Sequence, residues 1–367
     1  MLKSTEEVAP EIKTKNDNSK NKPNESEEKT KESGEKGSRT LKLMTFNLRN
    51  SNLDESNETS QSKNVRSWRN IRRQLCQEMI EQYKPDIICT QEGNLVQLSQ
   101  FTQDINRIKQ YNTFGQGRSP QKYYNSNISD RINEYCNIFW DTNQLELMDG
   151  GTFHLSDKPT VVGSKFNESS LPRIVTWVLL HPLYQSTSTL LLIVNCHLDH
   201  IGHNARHKQL ALLKKFILQD FVNDFASRAN GCFIDTTTTT KKKKRDNVPL
   251  FDKNQNISIF CTGDFNDEMF ISDLWKKGID PEITKELLFN CINIQDKSHN
   301  ARLHTFHNWI GDQFDSQKFP IDWVLCNKNI WNVMTFRRCE IIKFNKDGVF
   351  PSDHYPVIVE MLWKTSQ

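Results

Sequence analysis

A chain of 367 residues with a net charge of only +3 at pH 7 is long enough for two domains or for one large α/β domain. So small a net charge excludes the strong basic field that is typical of general nucleic-acid-binding proteins. The nine cysteines show no CxxC spacing, which argues against a thiolate zinc site. Cys89, Cys196, Cys261 and Cys326 lie inside apolar strand-like runs, as is typical of buried thiols in a reducing compartment.

Residues 1–39 predict a disordered tail, because they are mostly Lys, Glu, Ser, Asn and Thr and include no aromatic residue. The tail has neither the apolar core of a secretory signal nor the acid-poor composition of a transit peptide. No apolar run in the chain approaches the ~20 residues that span a bilayer. We therefore expect an intracellular, cytoplasmic protein without a membrane span, with its catalytic domain over residues 40–364.

The first predicted strand covers residues 41–47 and ends in a polar side chain, Asn47. Apolar residues then recur at helical spacing over residues 68–79, with arginine and glutamine on the opposite face. Pro85 is expected to end this helix.

A second strand is predicted over residues 86–92, and it also ends in polar residues. A helix is expected over residues 95–108. Residues 134–140 and 145–147 are then interpreted as neighbouring strands, followed by the Gly150-Gly151 pair. The order of strand, helix and strand is typical of an α/β fold.

Two apolar strands are predicted in the middle of the chain. Residues 173–180 begin with a cation, Arg173, and residues 190–196 form the most apolar strand of the sequence. This strand leads directly into His197-Leu198-Asp199-His200. A single histidine after a strand is usually structural, but two histidines around an aspartate are less easily explained by packing alone.

A helix and a low-complexity insert are predicted next. Asn204 is expected to cap the helix, whose apolar stripe consists of Leu210, Leu213 and Ile217. The insert, about residues 229–256, contains five consecutive threonines followed by four lysines and an arginine. We interpret it as a solvated surface loop, and a local polyanion-binding patch is the alternative.

The segment Gly263-Asp264-Phe265-Asn266 follows a run of β-branched and aromatic residues, where a buried strand is expected to end. On an extended segment Asp264 and Asn266 point the same way, so together they can hold one water and one phosphoryl oxygen. The alternative is an Asx-type turn, since Gly, Asp and Asn are common turn residues.

The last two predicted strands also carry polar residues near their beginnings. Asp322 is near the start of the strand over residues 321–326. Asp353 and His354 directly precede the strand over residues 357–359.

These polar strand ends are expected to meet, because an α/β sheet collects its strand ends along one edge. Hard oxygen ligands with neutral-capable imidazoles suit Mg²⁺ or Mn²⁺ better than a thiophilic metal. Such a site suits the attack of water on phosphorus. The residues concerned are Asn47, Glu92, His197, Asp264, Asn266, Asp353 and His354.

The ordered motifs resemble those of the endonuclease/exonuclease/phosphatase superfamily, which is DNase I-like. The resemblance covers about residues 41–363 and rests on Thr45-Phe46-Asn47, Gln91-Glu92, His197, Gly263-Asp264-Phe265-Asn266, Ile321-Asp322 and Ser352-Asp353-His354. Each motif is short, but the ordered set is specific. A narrower resemblance is to a poorly characterised, mostly bacterial branch that includes sugar-phosphate phosphatases, and it rests on Gly151-Thr152-Phe153-His154-Leu155-Ser156, Pro172-Arg173-Ile174, His197-Leu198-Asp199-His200 and Ala205-Arg206.

The resemblance implies a four-layer α/β sandwich, in which two mixed sheets pack face to face with helices outside. It also implies a Mg²⁺ (or Mn²⁺) site in which Glu92 is the main ligand, assisted by Asn47 and Asp353.

The catalytic roles are likewise implied by the resemblance. Asp264 would activate water beside Asn266, and His354, oriented by Asp322, would donate to the phosphate. His197 would neutralise the developing charge. Substrate contacts would come from Arg173, Arg118, Glu134 and His200.

Each candidate has a structural alternative. The two asparagines, Asn47 and Asn266, could be turn residues, Asp322 an ordinary strand-start residue and His197 a buried, hydrogen-bonded histidine. Surface ion pairs or helix-face charges are the alternative for Arg118, Glu134, Asp199, His200 and Arg206.

The preferred function is Mg²⁺-dependent hydrolysis of a phosphate ester, as a phosphatase or phosphodiesterase, on a small phosphorylated metabolite such as a sugar phosphate. A nuclease is the first alternative, although the near-neutral charge does not favour nucleic acid as the partner. A catalytically inactive binding module is the second.

Overall fold

The computed structural model describes residues 39–56, 66–120, 132–185, 189–217, 221, 257–267, 289–290, 303–315 and 319–364. All of them belong to one compact unit, Ser38–Gln367. The predicted insert and, except for Arg39, the predicted tail lie outside the described residues. The division into a tail and a catalytic domain with an insert therefore stays a prediction.

The described strands form two six-stranded sheets. The strands of the first sheet are β1 (Thr40–Asn47), β2 (Ile87–Gln91), β3 (Tyr111–Phe114), β4 (Ile138–Asp141), β11 (Met334–Ile341) and β12 (Val357–Trp363). Those of the second sheet are β5 (Leu145–His154), β6 (Ile174–Pro182), β7 (Leu191–His197), β8 (Ser258–Asp264), β9 (Phe289–Asn290) and β10 (Asp322–Cys326). The strand orders are β11-β12-β1-β2-β4-β3 and β5-β6-β7-β8-β10-β9.

The centre of each sheet contains one parallel pair, β1 with β2 and β7 with β8. The outer strands next to them, β12 and β10, run antiparallel to β1 and β8. The seven residues of β7 are all buried, as its continuous apolar sequence requires for a strand covered on both faces.

The described helical segments are α1 (Ser51–Ser56), a π-helical turn (Trp68–Arg72), α2 (Arg73–Tyr83), α3 (Leu95–Ile105), α4 (His203–Lys215), a 3₁₀ turn (Gly311–Gln313) and α5 (Ile330–Val333). Helices α2 and α3 bury Met79 and Phe101 against the outer face of the first sheet. Helix α4 buries Leu210 and Leu213 against the outer face of the second. The predicted four-layer sandwich is therefore confirmed. Among the described residues, no helix is long and apolar enough to cross a membrane.

The core between the sheets is built from the inward-facing residues of both. Leu43 and Ile87 of the first sheet belong to one buried cluster with Ile193 and Phe260 of the second. Burying each such side chain contributes roughly 1.5–3 kcal/mol relative to exposure. This packing fixes the separation of the two sheets, and with it the separation of the side chains at their ends.

A polar bridge crosses this apolar core. The amide of Gln91 donates to Asn195 Oδ1 at 2.7 Å, and the amide of Asn195 donates to the carbonyls of Thr90 and Asn137 at 2.9 and 3.0 Å. All four residues are buried. Since a buried polar group without a partner is strongly unfavourable, the bridge favours one relative position of the two sheets.

Residues 134–147 differ from the expectation of neighbouring strands, because β4 belongs to the first sheet and β5 to the second. The turn between them crosses from one sheet to the other. The glycine pair lies inside β5 rather than ending a strand. A Cβ on Gly151 would lie 2.8 Å from the indole nitrogen of Trp177, so glycine leaves room for that ring.

Helix α4 begins at His203, and its N-cap is Gly202 rather than the expected Asn204. The carboxylate of Asp199 already accepts from the backbone of Ile201 and Gly202 at 3.0 and 2.7 Å. These bonds fix the turn that leads into the helix, and the N-cap itself has no side-chain hydrogen bond.

Candidate active site

Strand direction brings the predicted polar residues to one end of the sandwich. Asn47 ends β1 and Glu92 directly follows β2, while His197 and Asp264 end β7 and β8. Because β10 and β12 run antiparallel to their neighbours, their beginnings lie at the same end. Asp322 is paired in register with Asp264, and Asp353 and His354 precede β12.

The side chain of Asn47 connects the two sheets at this end. Its amide nitrogen donates to Glu92 Oε1 and to Asp264 Oδ2, both at 3.0 Å. Its carbonyl oxygen accepts from the backbone N–H of Arg49 at 2.9 Å, which fixes the orientation of the amide. One buried amide thus holds a carboxylate from each sheet.

Glu92 adopts a left-handed backbone conformation, with φ of 61°, which is uncommon for a residue other than glycine. Its second oxygen accepts from the backbone N–H of Asn50 at 3.3 Å. Burial opposes ionisation of Glu92, but the charges of Arg49 and His354 and the bond from Asn47 outweigh it and lower the pKa. The site therefore presents an ionised oxygen ligand.

Ligand atoms of Glu92, His197 and Asp264 all lie within 4.8 Å of one another. Two ligands of one Mg²⁺ ion are at most about 4.2 Å apart, since each lies about 2.1 Å from the metal. A small movement of these side chains would therefore let them share a cation. Two carboxylates and an imidazole are suitable ligands, so the residues present fit a divalent metal ion.

Asp264 also belongs to a second cluster of converging ligand atoms, with Asp322 and His354. His354 Nδ1 donates to Asp322 Oδ2 at 2.8 Å, and His354 Nε2 lies 3.8 Å from Asp264 Oδ2. Burial would lower the pKa of His354, but the carboxylates of Asp322, Asp264 and Asp353 raise it to about 10. His354 is therefore protonated at neutral pH.

The carboxyl group of Asp264 has the opposite character to that of Glu92. Burial and the neighbouring charge of Asp322 raise its pKa to about 7. A carboxylate whose pKa lies near the working pH is well suited to accept and release a proton.

His197 lies on the other side of Asp264, with Nε2 3.7 Å from Oδ2 of that residue. Burial and the positive charges of Arg173 and Arg118 lower its pKa well below the ordinary value. Its imidazole is therefore neutral, as a metal ligand must be, and it keeps one N–H that can donate to a phosphate.

A pocket adjoins the metal-ligand cluster, and Glu92 and His197 belong to both. It is lined by Glu92, Arg118, Glu134, Tyr135, Cys136, Arg173, Ile174 and His197. Arg118 Nη1 forms an ion pair with Glu134 Oε2 at 2.6 Å. Burial raises the pKa of Glu134, and the charge of Arg118 opposes this.

The guanidinium of Arg173 is only 2% exposed at this pocket. Its Nη2 donates to His200 Nδ1 at 2.8 Å, and its Nε lies 3.8 Å from Asp199 Oδ2. Within the described part of the chain, Nε and Nη1 have no hydrogen-bond acceptor. Buried donors of a charged group are costly to leave unsatisfied, so they favour an anionic ligand.

Asp199 and Arg206 have structural partners. The carboxylate of Asp199 accepts from the hydroxyls of Ser169 and Ser170 at 2.8 and 2.7 Å. Arg206 Nη1 donates to the carbonyl of Asp199 at 2.9 Å, and its Nε lies 3.4 Å from Asp267 Oδ2. These contacts join the start of α4 to the loop after β8.

Two predicted site residues take positions at the margin of the clusters. Asn266 donates its side-chain amide to the carbonyl of Leu198 at 3.0 Å, and its backbone N–H donates to Asp264 Oδ1 at 2.9 Å. Asp353 Oδ2 lies 3.6 Å from Arg49 Nε, and Asp353 is in neither cluster of converging ligand atoms among the described residues.

Sequence reasoning missed Arg49 and Arg72. Arg49 lies beside both Glu92 and Asp353, two residues after the recognised Asn47. Arg72, expected on a polar helix face, is fully buried and donates to the carbonyls of Leu48 and Pro351 at 2.8 and 3.1 Å. It thereby holds the loops that follow β1 and precede β12. Only three-dimensional proximity reveals either role.

The family model described as the endonuclease/exonuclease/phosphatase family matches residues 44–354. The chain belongs to this family, as its motifs indicated. Proteins of the family hydrolyse phosphoric esters and typically use divalent metal ions, and this protein is accordingly a phosphoric ester hydrolase.

Solved structures show the same fold. An endonuclease/exonuclease/phosphatase family protein from Bacteroides thetaiotaomicron has a TM-score of 0.62 and 22% identity, covering 90% of this chain and 100% of its own. A mannosyl-6-phosphatase from that species has a TM-score of 0.59 and 22% identity, covering 88% and 99%. TDP2 from D. rerio, complexed with a single-strand DNA product, has a TM-score of 0.55 and 13% identity, covering 88% and 98%. No curated protein compared with the chain matches it.

Proposed function

We propose that the protein is a Mg²⁺-dependent phosphatase or phosphodiesterase that acts on a small phosphorylated metabolite such as a sugar phosphate. The observation that carries this proposal is the buried guanidinium of Arg173 beside the Glu92–His197–Asp264 cluster, because its Nε and Nη1 have no acceptor among the described residues. The structural similarity to a mannosyl-6-phosphatase supports a sugar phosphate. The adjoining pocket is lined by Arg118, Glu134 and Arg173, whose charged groups suit a phosphate and the hydroxyl groups of a small metabolite.

Glu92 is the principal metal ligand in this proposal, and Asn47 and Asp353 assist it. Asn47 keeps the carboxylates of Glu92 and Asp264 in fixed orientations through its two 3.0 Å bonds. When bound, Mg²⁺ (or Mn²⁺) supplies Lewis-acid polarisation of the phosphoryl group.

Asp264 accepts a proton from the attacking water, and Asn266 orients that water or a phosphoryl oxygen. The water oxygen forms a bond to phosphorus as the bond from phosphorus to the leaving oxygen breaks, and the leaving oxygen takes a proton from solvent to depart as an alcohol. Protonated His354, held by Asp322 at 2.8 Å, donates a hydrogen bond to the phosphoryl group. His197 and Arg173 stabilise the negative charge that develops on its oxygens.

The remaining substrate contacts are assigned to the pocket wall. The Arg118–Glu134 pair presents both donors and an acceptor, a combination that suits hydroxyl groups of a sugar. His200 holds Arg173 through its Nδ1 and is itself exposed, so it can also meet substrate at the entrance.

A nuclease is the second candidate, since the similar TDP2 structure contains a single-strand DNA product. The net charge of +3 argues against it, because backbone tracking requires many cationic contacts. An intracellular location also belongs to the proposal, because all seven cysteines within the described residues are free and six of them are buried.

The test is product release in the presence of Mg²⁺ from a panel of sugar phosphates, phosphodiesters and single- and double-stranded nucleic acid. Wild type is compared with Glu92→Gln and with Glu81→Gln, an exposed glutamate of α2, as the matched control. Turnover of small esters that is lost only in Glu92→Gln supports the proposal. Cleavage of nucleic acid alone would favour the nuclease. Inactivity on every substrate would favour a binding module.

A further inference from the structure

The segment Thr305-Phe306-His307 has no role in the reaction described above, yet it lies directly behind the Asp322–His354 pair. The hydroxyl of Thr305 accepts from the backbone N–H groups of Ile321 and Asp322 at 3.0 and 3.1 Å. Thr305 and Asp322 are 0 and 1% exposed. The hydroxyl therefore fixes the backbone at the start of β10, including that of Asp322, whose carboxylate binds His354.

The same segment holds the other member of the pair. The carbonyl of Thr305 accepts from the backbone N–H of Tyr355 at 2.7 Å, and the backbone N–H of His307 donates to the carbonyl of Asp353 at 2.9 Å. Phe306 forms an isolated β-bridge with His354, and their ring centroids are 5.0 Å apart. The residues on both sides of His354 are thus tied to residues 305–307.

Aromatic packing anchors the segment itself. The ring of His307 lies 4.1 Å from that of Tyr355 and 4.4 Å from that of Phe350, measured between centroids. Burial lowers the pKa of His307 to about 3, so its neutral ring packs as an aromatic group. The packing therefore fixes the segment in place, and the segment in turn fixes the backbone around Asp322 and His354.

We propose that Thr305 is a positioning residue for the Asp322–His354 pair, with its hydroxyl fixing the backbone of Asp322 and its carbonyl fixing the backbone beside His354. The inference rests on the proposed hydrolytic function, in which protonated His354 faces the phosphoryl group. Removing the hydroxyl leaves two buried N–H groups without an acceptor, and the backbone of Asp322 must shift to satisfy them. A shift of about 1 Å at a reacting group is enough to lower a rate by about a hundredfold.

The experiment compares Thr305→Ala with Thr305→Ser, which restores the oxygen but not the methyl group. Thr176→Ala is the matched control, because Thr176 is also 0% exposed and, within the described part of the chain, its hydroxyl contacts only that of Thr152, at 3.3 Å. Two readouts are taken on each full-length variant. One is kcat and KM on the best ester of the panel; the other is the downfield proton resonance of the His354 Nδ1–H···Asp322 bond, assigned by its loss in His354→Gln.

We expect Thr305→Ala to lower kcat about tenfold to a hundredfold with KM within about twofold, and to shift or abolish the downfield resonance. Thr305→Ser and Thr176→Ala should retain both properties. A Thr305→Ala variant with wild-type kcat and resonance overturns the proposal, as does an equal loss in Thr176→Ala or a change mainly in KM.

The resonance needs no substrate, so it decides the positioning role even if the proposed hydrolysis is not found. If Thr305→Ala does not fold, Thr305→Cys replaces it, since its thiol is a weaker acceptor of similar size. The expected result is then a shifted resonance and an intermediate kcat, and values equal to wild type refute the role of the hydroxyl.

Discussion

Replacing Asp322 by asparagine should remove the proton from His354 at neutral pH. In the wild-type protein, burial opposes the charged imidazole, and the Asp322 carboxylate is the largest influence that raises its pKa to about 10, from an ordinary value of 6.5. A shift of about 3.5 units corresponds to about 5 kcal/mol in favour of the charged form. Asparagine keeps the shape but not the charge, so the pKa of His354 should fall towards its ordinary value of 6.5.

The assay is an NMR titration of His354 in metal-free wild type and Asp322→Asn, together with kcat as a function of pH. We expect kcat of the variant to fall by about a hundredfold or more at pH 7, since a charged donor to the phosphoryl group is lost. If His354 of the variant still titrates near pH 10, or kcat and its pH profile match wild type, the assigned role of Asp322 is wrong.

The same shift predicts a pH-dependent stability. Because folding raises the pKa of His354, protonation of this residue stabilises the folded state, and the contribution is fully present below the unfolded pKa of about 6.5. This stabilisation is lost as the pH rises towards the folded pKa of about 10. About 5 kcal/mol is the upper limit of this contribution. Asp264, whose pKa is raised to about 7, destabilises the folded state as it ionises, but mostly below pH 7 and so largely outside the range in which the contribution of His354 is lost. Urea unfolding between pH 6.5 and 10 should therefore show a steeper alkaline loss in wild type than in Asp322→Asn.

Three further predictions concern other contacts. Arg173→Gln should raise KM for a phosphate ester about tenfold to a hundredfold, as expected for a buried charged donor, and a KM equal to wild type would exclude Arg173 as a phosphate contact. Added Mg²⁺ should raise the melting temperature of wild type but not of Glu92→Gln, and EDTA should abolish activity; equal shifts in both proteins would place the metal elsewhere. Asn195→Ala should lower the free energy of unfolding by about 1–3 kcal/mol in urea titrations, because it leaves buried partners unsatisfied; a loss below about 0.5 kcal/mol would show that water replaces the amide.

The fold was largely predictable from strand composition. The apolar runs of β7 and β8 predict buried strands, and the structure shows both strands fully buried. The polar residues at their ends indicated where the candidate site lies. Strand β11 was missed, because its arginines and glutamate conceal the alternation of a strand at the sheet edge. The crossing between β4 and β5 was also missed, since a short turn looks the same within a sheet and between sheets.

The site could be predicted only for residues that a strand end carries into it. Asp264 and His197 are such residues, and the structure brings their side chains to within 3.7 Å. The side chains of Thr305 and Asn195 form hydrogen bonds with residues of other segments, and only the structure shows these partners. Arg173 was predicted as a substrate contact, but only the structure shows that its Nε and Nη1 have no acceptor among the described residues.

The two hydrogen bonds of the Asn47 amide depend on the spacing between the two sheets. The amide nitrogen donates to one carboxylate from each sheet, and both N···O distances are 3.0 Å. Neither sheet can therefore move away without stretching a hydrogen bond at the candidate active site. A larger side chain at an inward-facing position such as Ile193 would push the sheets apart and lengthen the hydrogen bonds of Asn47. Substitutions in the interior should therefore impair turnover while the protein still unfolds cooperatively, which makes activity a finer probe of core packing than stability.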